Sequence, residues 1–162
     1  MPSKNRKNPY FMPTLAIIFS SLLLTSCASG KDAPTSQIKQ VTDGVEKDSG
    51  SVAVRGLLLV AQSDGSAVLV GTIVNAAAEA DSIVSINVGG IAAPLIGAPL
   101  VLDQNAPVIF GGDSANASSV IAGVNKVAGQ RIPIEITFGK AAPLKLDALV
   151  VEQAGVYAGI TK

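Results

Sequence analysis

From Ser51 onward, apolar and polar residues alternate in short runs bounded by turn residues, the period-two pattern of strands with one buried face. Ser51–Gln62 (SVAVRGLLLVAQ) and Ala67–Asn75 (AVLVGTIVN) flank Ser63-Asp64-Gly65-Ser66, and an Asp-Gly between β-branched runs predicts a hairpin. In Ile83–Val88, Val84, Ile86 and Val88 alternate with Ser85 and Asn87, which predicts that these three face the core. Ile132–Phe138 and Leu144–Val150 repeat the alternation, and Gly139-Lys140-Ala141-Ala142 between them predicts a second hairpin. Leu100–Leu102, Pro107–Phe110 and Ser119–Val124 are weaker strand candidates. Helical signals are poor, because Ala115–Ala128 is interrupted by Gly and carries β-branched residues. Roughly seven short strands at this spacing predict an all-β fold, an antiparallel sandwich over residues 51–162.

The first 26 residues follow another pattern. Lys4, Arg6 and Lys7 precede an apolar run, Leu15–Leu24. As a helix that run is roughly 15 Å long, half of the roughly 30 Å of a bilayer core, and it has the proportions of a signal peptide. Leu24-Thr25-Ser26-Cys27 resembles the bacterial lipobox, which implies cleavage between Ser26 and Cys27 and diacylglycerol on the Cys27 thiol. Cys27 is the 1 cysteine of the chain, so no internal disulfide can form. Two or more acyl chains at about 0.8 kcal/mol per buried methylene give stable anchorage in membrane lipid. The expected location is the extracytoplasmic side of the cell membrane. Residues 27–50 are small, polar or charged and predict a lipidated cysteine followed by a flexible tether. Pairing of Gln37–Val41 as a first edge strand stays open.

Composition narrows the chemistry. The chain has 12 basic and 12 acidic residues, and loss of the signal removes three of the basic ones, leaving a net charge of about −3. With no basic patch interleaved with aromatics, nucleic acid is not an expected partner. The chain has 0 His, and both methionines, Met1 and Met12, leave with the signal. The processed protein thus lacks imidazole, thioether and free thiol, which removes the usual general base, the Cys nucleophile and the soft metal ligands. No metal and no cofactor are expected on this chain alone. Asp103-Gln104-Asn105 and Gly111–Asn116 are oxygen-rich loops without the spacing of a Ca²⁺ loop, and read as turns. Ser119 with Lys126, and Glu135 with Asp147, are the residual hydrolytic pairings, and alternation puts the two acids on the solvent face. No enzymatic activity is expected.

Gly89–Leu102 (GGIAAPLIGAPLVL) is almost wholly apolar and carries Pro94 and Pro99. One reading is a buried crossover between two sheets. The other is an exposed surface for a partner, carried by Ile91, Leu95, Ile96 and Leu100.

Three stretches carry a family resemblance: Val52–Val60 (VAVRGLLLV) with Gly65–Asn75, Ala128–Phe138 (AGQRIPIEITF), and Leu149–Ala158 (LVVEQAGVYA). Together they resemble small actinobacterial lipoproteins of the LpqE type, distant relatives of the PCu(A)C copper chaperones. The resemblance implies an immunoglobulin-like or cupredoxin-like sandwich. The Met and His residues that hold copper in those chaperones have no counterpart here. The expected function is a non-enzymatic binding or accessory module with a protein partner in the envelope. The alternative is a copper-chaperone-like assembly factor for a respiratory oxidase that depends on a partner's ligands.

Overall fold

The computed structural model describes residues 43–97 and 101–162. The signal segment, Ser26, Cys27, Gln37–Val41 and Leu100 lie outside the described residues. The strands are β1 (Val45–Ser49), β2 (Val52–Ala61), β3 (Ala67–Asn75), β4 (Asp81–Val88), β5 (Ile91–Ala92), β6 (Val101–Leu102), β7 (Val108–Phe110), β8 (Val120–Ile121), β9 (Arg131–Phe138) and β10 (Leu144–Glu152). A turn of 3-10 helix, Gly155–Tyr157, follows β10. The strands join in a curled sheet ordered β5-β4-β9-β10-β2-β3-β7, with β1 on β2, β6 on β4 and β8 on β3. The two halves of this order face each other across one core. Ile83, Ile86, Ile134 and Leu144 from one half share a buried cluster with Val54, Leu57, Leu69 and Ile73 from the other. The expected all-β sandwich is present. Burial of each such aliphatic side chain contributes about 1.5–3 kcal/mol.

Both predicted hairpins form. β2 and β3 pair antiparallel from Val52↔Asn75 to Ala61↔Ala67, around the Asp64-Gly65 turn. β9 and β10 pair from Ile136↔Leu144 to Arg131↔Leu149.

The strand pattern departs from expectation in three places. First, the sandwich is not wholly antiparallel, because β10 pairs parallel with β2 at Val150↔Leu59 through Glu152↔Ala61. β1 covers that edge of β2 only as far as Leu57, and the end of β10 takes the rest. Second, Val84 is 59% exposed rather than buried, while Ile83 and Ile86 are 1% exposed. Pairing jumps from Ile83↔Phe138 to Ser85↔Thr137, so β4 holds one extra residue there, and this bulge reverses the phase of the alternation. Third, Val45–Ser49 lies within the stretch whose polarity predicts a tether, yet it is a strand of the sheet. It pairs with β2 through the two-residue turn Gly50-Ser51, in which Gly50 has φ 59. Glu46, Lys47 and Asp48 are exposed, as suits an edge strand guarded by charge.

The β2 register also shifts between Arg55 and Leu58, where β2 holds one extra residue and Gly56 has φ 60. Gly44 lies against this bulge. A Cβ on it would fall 2.2 Å from the Gly56 carbonyl carbon.

Candidate functional site

The described part of the apolar Gly89–Leu102 stretch pairs with β4 at both ends, through β5 and β6, and divides between core and solvent. After β5, Ala93 N donates to Ile86 O at 2.8 Å, and Leu95 packs against the core. Ile96 then pairs with Ser118, its N donating to Ser118 O at 2.9 Å and its O accepting from Ser118 N at 2.8 Å. The chain re-enters the sheet at β6, where Leu102 is 0% exposed opposite Asp81. Three large apolar side chains of the described part remain outside: Ile96 at 61%, Val101 at 50% and Ile91 at 36% exposure. Of the candidate partner residues, Ile91 and Ile96 thus face solvent and Leu95 faces the core, while Leu100 lies outside the described residues. Val84 and Val101 join the exposed set. The β4 bulge hid Val84, and Val101 could be found only by applying alternation to a two-residue strand. Ile96, Gly97 and Ala115–Ser118 together line a shallow hollow of about 300 Å³.

The polar groups nearby are engaged in holding the backbone. Asn75 is 0% exposed, and its Nδ2 donates to Glu79 O at 2.8 Å and Leu102 O at 3.1 Å. Its Oδ1 accepts from Ser51 Oγ at 3.0 Å and Ala77 N at 2.9 Å. The buried Asp81 carboxylate accepts from Ser82 N at 2.7 Å, Lys140 N at 2.8 Å and Ala141 N at 2.9 Å, clamping the β9–β10 turn onto the start of β4. Burial pushes this carboxyl up. The backbone N–H groups of Ala141, Ser82, Lys140 and Gly139 outweigh that, so it lies below its ordinary 3.8.

A depressed folded-state value means that Asp81 stabilises fully above about pH 4, and that this contribution fades as the pH falls through the folded value. Asp81→Asn should therefore lower stability at pH 7, and its deficit relative to the unaltered chain should shrink below about pH 4. Denaturant melts at pH 7 and pH 3 measure this. An equal deficit at both would exclude the clamp.

The oxygen-rich loops are self-satisfied turns. Asn116 Oδ1 accepts from Ile109 N at 2.8 Å, and its Nδ2 donates to Pro107 O at 2.9 Å. The Asp103 carbonyl accepts from Ala106 N at 3.2 Å beside Asn105, which has φ 56. No group of three His, Cys, Asp or Glu residues that could hold a metal occurs among the described residues.

Neither hydrolytic pairing assembles. Glu135 meets Lys145 at 3.4 Å on the solvent face, and Asp147 is exposed opposite Pro133. Ser119 is 0% exposed and its Oγ has no hydrogen-bond partner, while Lys126 is exposed. A nucleophile sealed from solvent, with its base out in the solvent, cannot act on a substrate. Arg55 pairs with Asp48, and Arg131 Nη1 donates to Asp147 O at 2.8 Å, both at the surface.

No family model matches the chain, and no curated protein matches it. Solved structures do. The apo PCuAC domain of PmoF1 superposes with a TM-score of 0.57 at 22% identity, covering 67% of this chain and 99% of that domain. The copper-bound PCuAC domain of PmoF2 gives 0.57 at 18% identity, covering 67% of this chain and 98% of that one. The apo PmoF2 domain gives 0.55 at 18% identity, covering 68% and 98%. The chain therefore has the fold of these PCuAC domains. Its donor atoms do not fit a copper cargo: the chain has 0 His, 2 Met and 1 Cys, and Met1, Met12 and Cys27 all precede the described domain.

Proposed function

We propose that this chain is a lipid-anchored extracytoplasmic lipoprotein whose PCuAC-type sandwich works as a non-enzymatic binding or accessory module in the cell envelope. The observation that carries the reading is a PCuAC-type fold whose described residues contain no His, Met or Cys. The lipobox at Leu24–Cys27 supplies the anchor through Cys27 to membrane lipid, with Ser26 and Cys27 flanking the cut. The exposed Ile91, Ile96 and Val101, with Leu100 beside them in the chain, are the surface offered to an envelope protein. The finer likeness to LpqE-type lipoproteins is part of this proposal.

A second reading follows from the copper-bound neighbour. In it, the chain assists assembly of a respiratory oxidase, and copper is held by ligands of a partner. Crosslinking in the native membrane followed by mass spectrometry separates the two. Envelope proteins joined through residues 91–102 are expected. Recovery of oxidase or copper-handling subunits would favour the second reading, and absence of any reproducible partner would contradict both.

A further inference from the structure

A second apolar surface lies on the outside of the sandwich and is already occupied. Leu58, Val60 and Val68 are 2%, 0% and 3% exposed, yet they lie outside the core cluster that takes Leu57, Leu59 and Leu69. By alternation they occupy the opposite face of β2 and β3, where a sandwich ordinarily shows polar residues to water. The register lines them up. Val60 sits opposite Val68 on one side and Val151 on the other, Val68 opposite Val120, and Leu58 opposite Val70.

The segment after β10 lies over the Val68 part of this face. Val156 and Gly159–Lys162 form one wall of a cleft of about 430 Å³ with Val68 at its floor, and Gly111–Asp113 stand across from them. The Ile160 carbonyl accepts from Gln62 Nε2 at 3.3 Å and Gln153 Nε2 at 2.9 Å. Lys162 Nζ pairs with Asp64 in the β2–β3 turn, and Tyr157 Oη donates to Asp43 Oδ2 at 3.3 Å. These contacts are few for the area covered. From Gln153 to Lys162 every residue is exposed except Tyr157 and Ile160, which are half-buried, and the 3-10 turn contributes no buried residue. The cover is thus much less tightly held than the strands beneath it.

We propose that Gln153–Lys162 is a displaceable strap over a peptide-docking face, and that the partner is an aliphatic segment of another protein ending in a cation. The strap defines that chemistry. It places one branched aliphatic side chain at Ile160, one backbone carbonyl before Gln62 Nε2, and one ammonium beside the Asp64 carboxylate. This surface is built on β2, β3 and β10 and is separate from the 91–102 crossover. It deepens the binding-module reading, but loss of anchorage or of crosslinked partners would leave the peptide result below unchanged, so the two fail separately.

The probe is a fluorescent peptide of the strap itself, AGVYAGITK (residues 154–162), titrated against the full chain in detergent and against the chain ending at Gln153. The shortened chain should bind it about tenfold or more tightly than the full chain, whose tethered strap competes at high effective concentration. Asp64→Lys in the shortened chain should weaken binding several-fold. A peptide carrying Lys162→Glu should then restore it. Equal binding by both chains, or no binding by a shortened chain with an unaltered NMR spectrum, would overturn the proposal. Self-association of the shortened chain through this face would overturn it too, by making a second copy the occupant. Should the shortened chain not fold, the full-length Ile160→Ser/Lys162→Glu double variant must bind the peptide more tightly than the unaltered chain, and no gain overturns the proposal.

Discussion

Asn75→Leu should destabilise the domain by about 3–5 kcal/mol and lower its Tm by roughly 10–20 °C. Asn75 is 0% exposed and uses both amide atoms twice, tying the end of β3 to β6 through Leu102 and to the following turn through Glu79 and Ala77. Leucine keeps the branched four-atom side chain, with bulkier methyls, and removes all four hydrogen bonds. Glu79 is exposed, so its carbonyl can turn to water, but the carbonyl of Leu102 is held beside a side chain that is 0% exposed. A buried group left without a partner costs about 1–3 kcal/mol. Ser51→Ala removes only one hydroxyl from the same amide, and should cost under about 1.5 kcal/mol. Urea and thermal melts of the two variants measure the ratio. If Asn75→Leu stayed within about 1 kcal/mol of the unaltered chain, the network would not hold β3 to β6.

Cys27→Ala should move the protein from the membrane fraction to the soluble one. The expected anchor is two or more acyl chains, each buried methylene contributing about 0.8 kcal/mol, so membrane binding is close to all-or-none. No helix of the described residues is long and apolar enough to cross a membrane. Fractionation with intact-mass analysis reads both effects: the unaltered chain should carry the mass of a diacylglycerol on a chain beginning at Cys27, and the variant should not. Retention of Cys27→Ala in the membrane would contradict the lipobox reading.

Alternation carried β9 and β10 into view because each has one wet face and one dry one. Ala67–Asn75 spans β3 to the residue, and the Asp64-Gly65 and Gly139–Ala142 turns join the pairs they predict. The departures have local causes. At Val84 a bulge changed the phase, and a pattern of period two cannot register an inserted residue. β1 was hidden because an edge strand with three exposed charges looks like a tether in composition. The parallel β2–β10 pairing is a long-range choice between residues some ninety positions apart, and neither strand's own sequence encodes its neighbour.

The crossover surface was half legible. An apolar run showed that Ile91–Leu100 was unusual, but its side chains divide between core and solvent. That division depends on the Ile96–Ser118 pairing, which lies outside any local pattern. The outer face under the strap left one trace in sequence: Leu57-Leu58-Leu59-Val60 is apolar at four successive positions, which a strand permits only when both of its faces are covered.

A PCuAC-type fold with no His, Met or Cys among its described residues should bind no Cu(I) on its own. A Cu(I) titration of the membrane-purified chain, with a chromophoric chelator as competitor and Cys27→Ser as control, tests this most directly. The chelator should keep its copper throughout for both proteins. Stoichiometric one-to-one transfer to the chain would contradict the account, because it would require donors that the described domain does not possess.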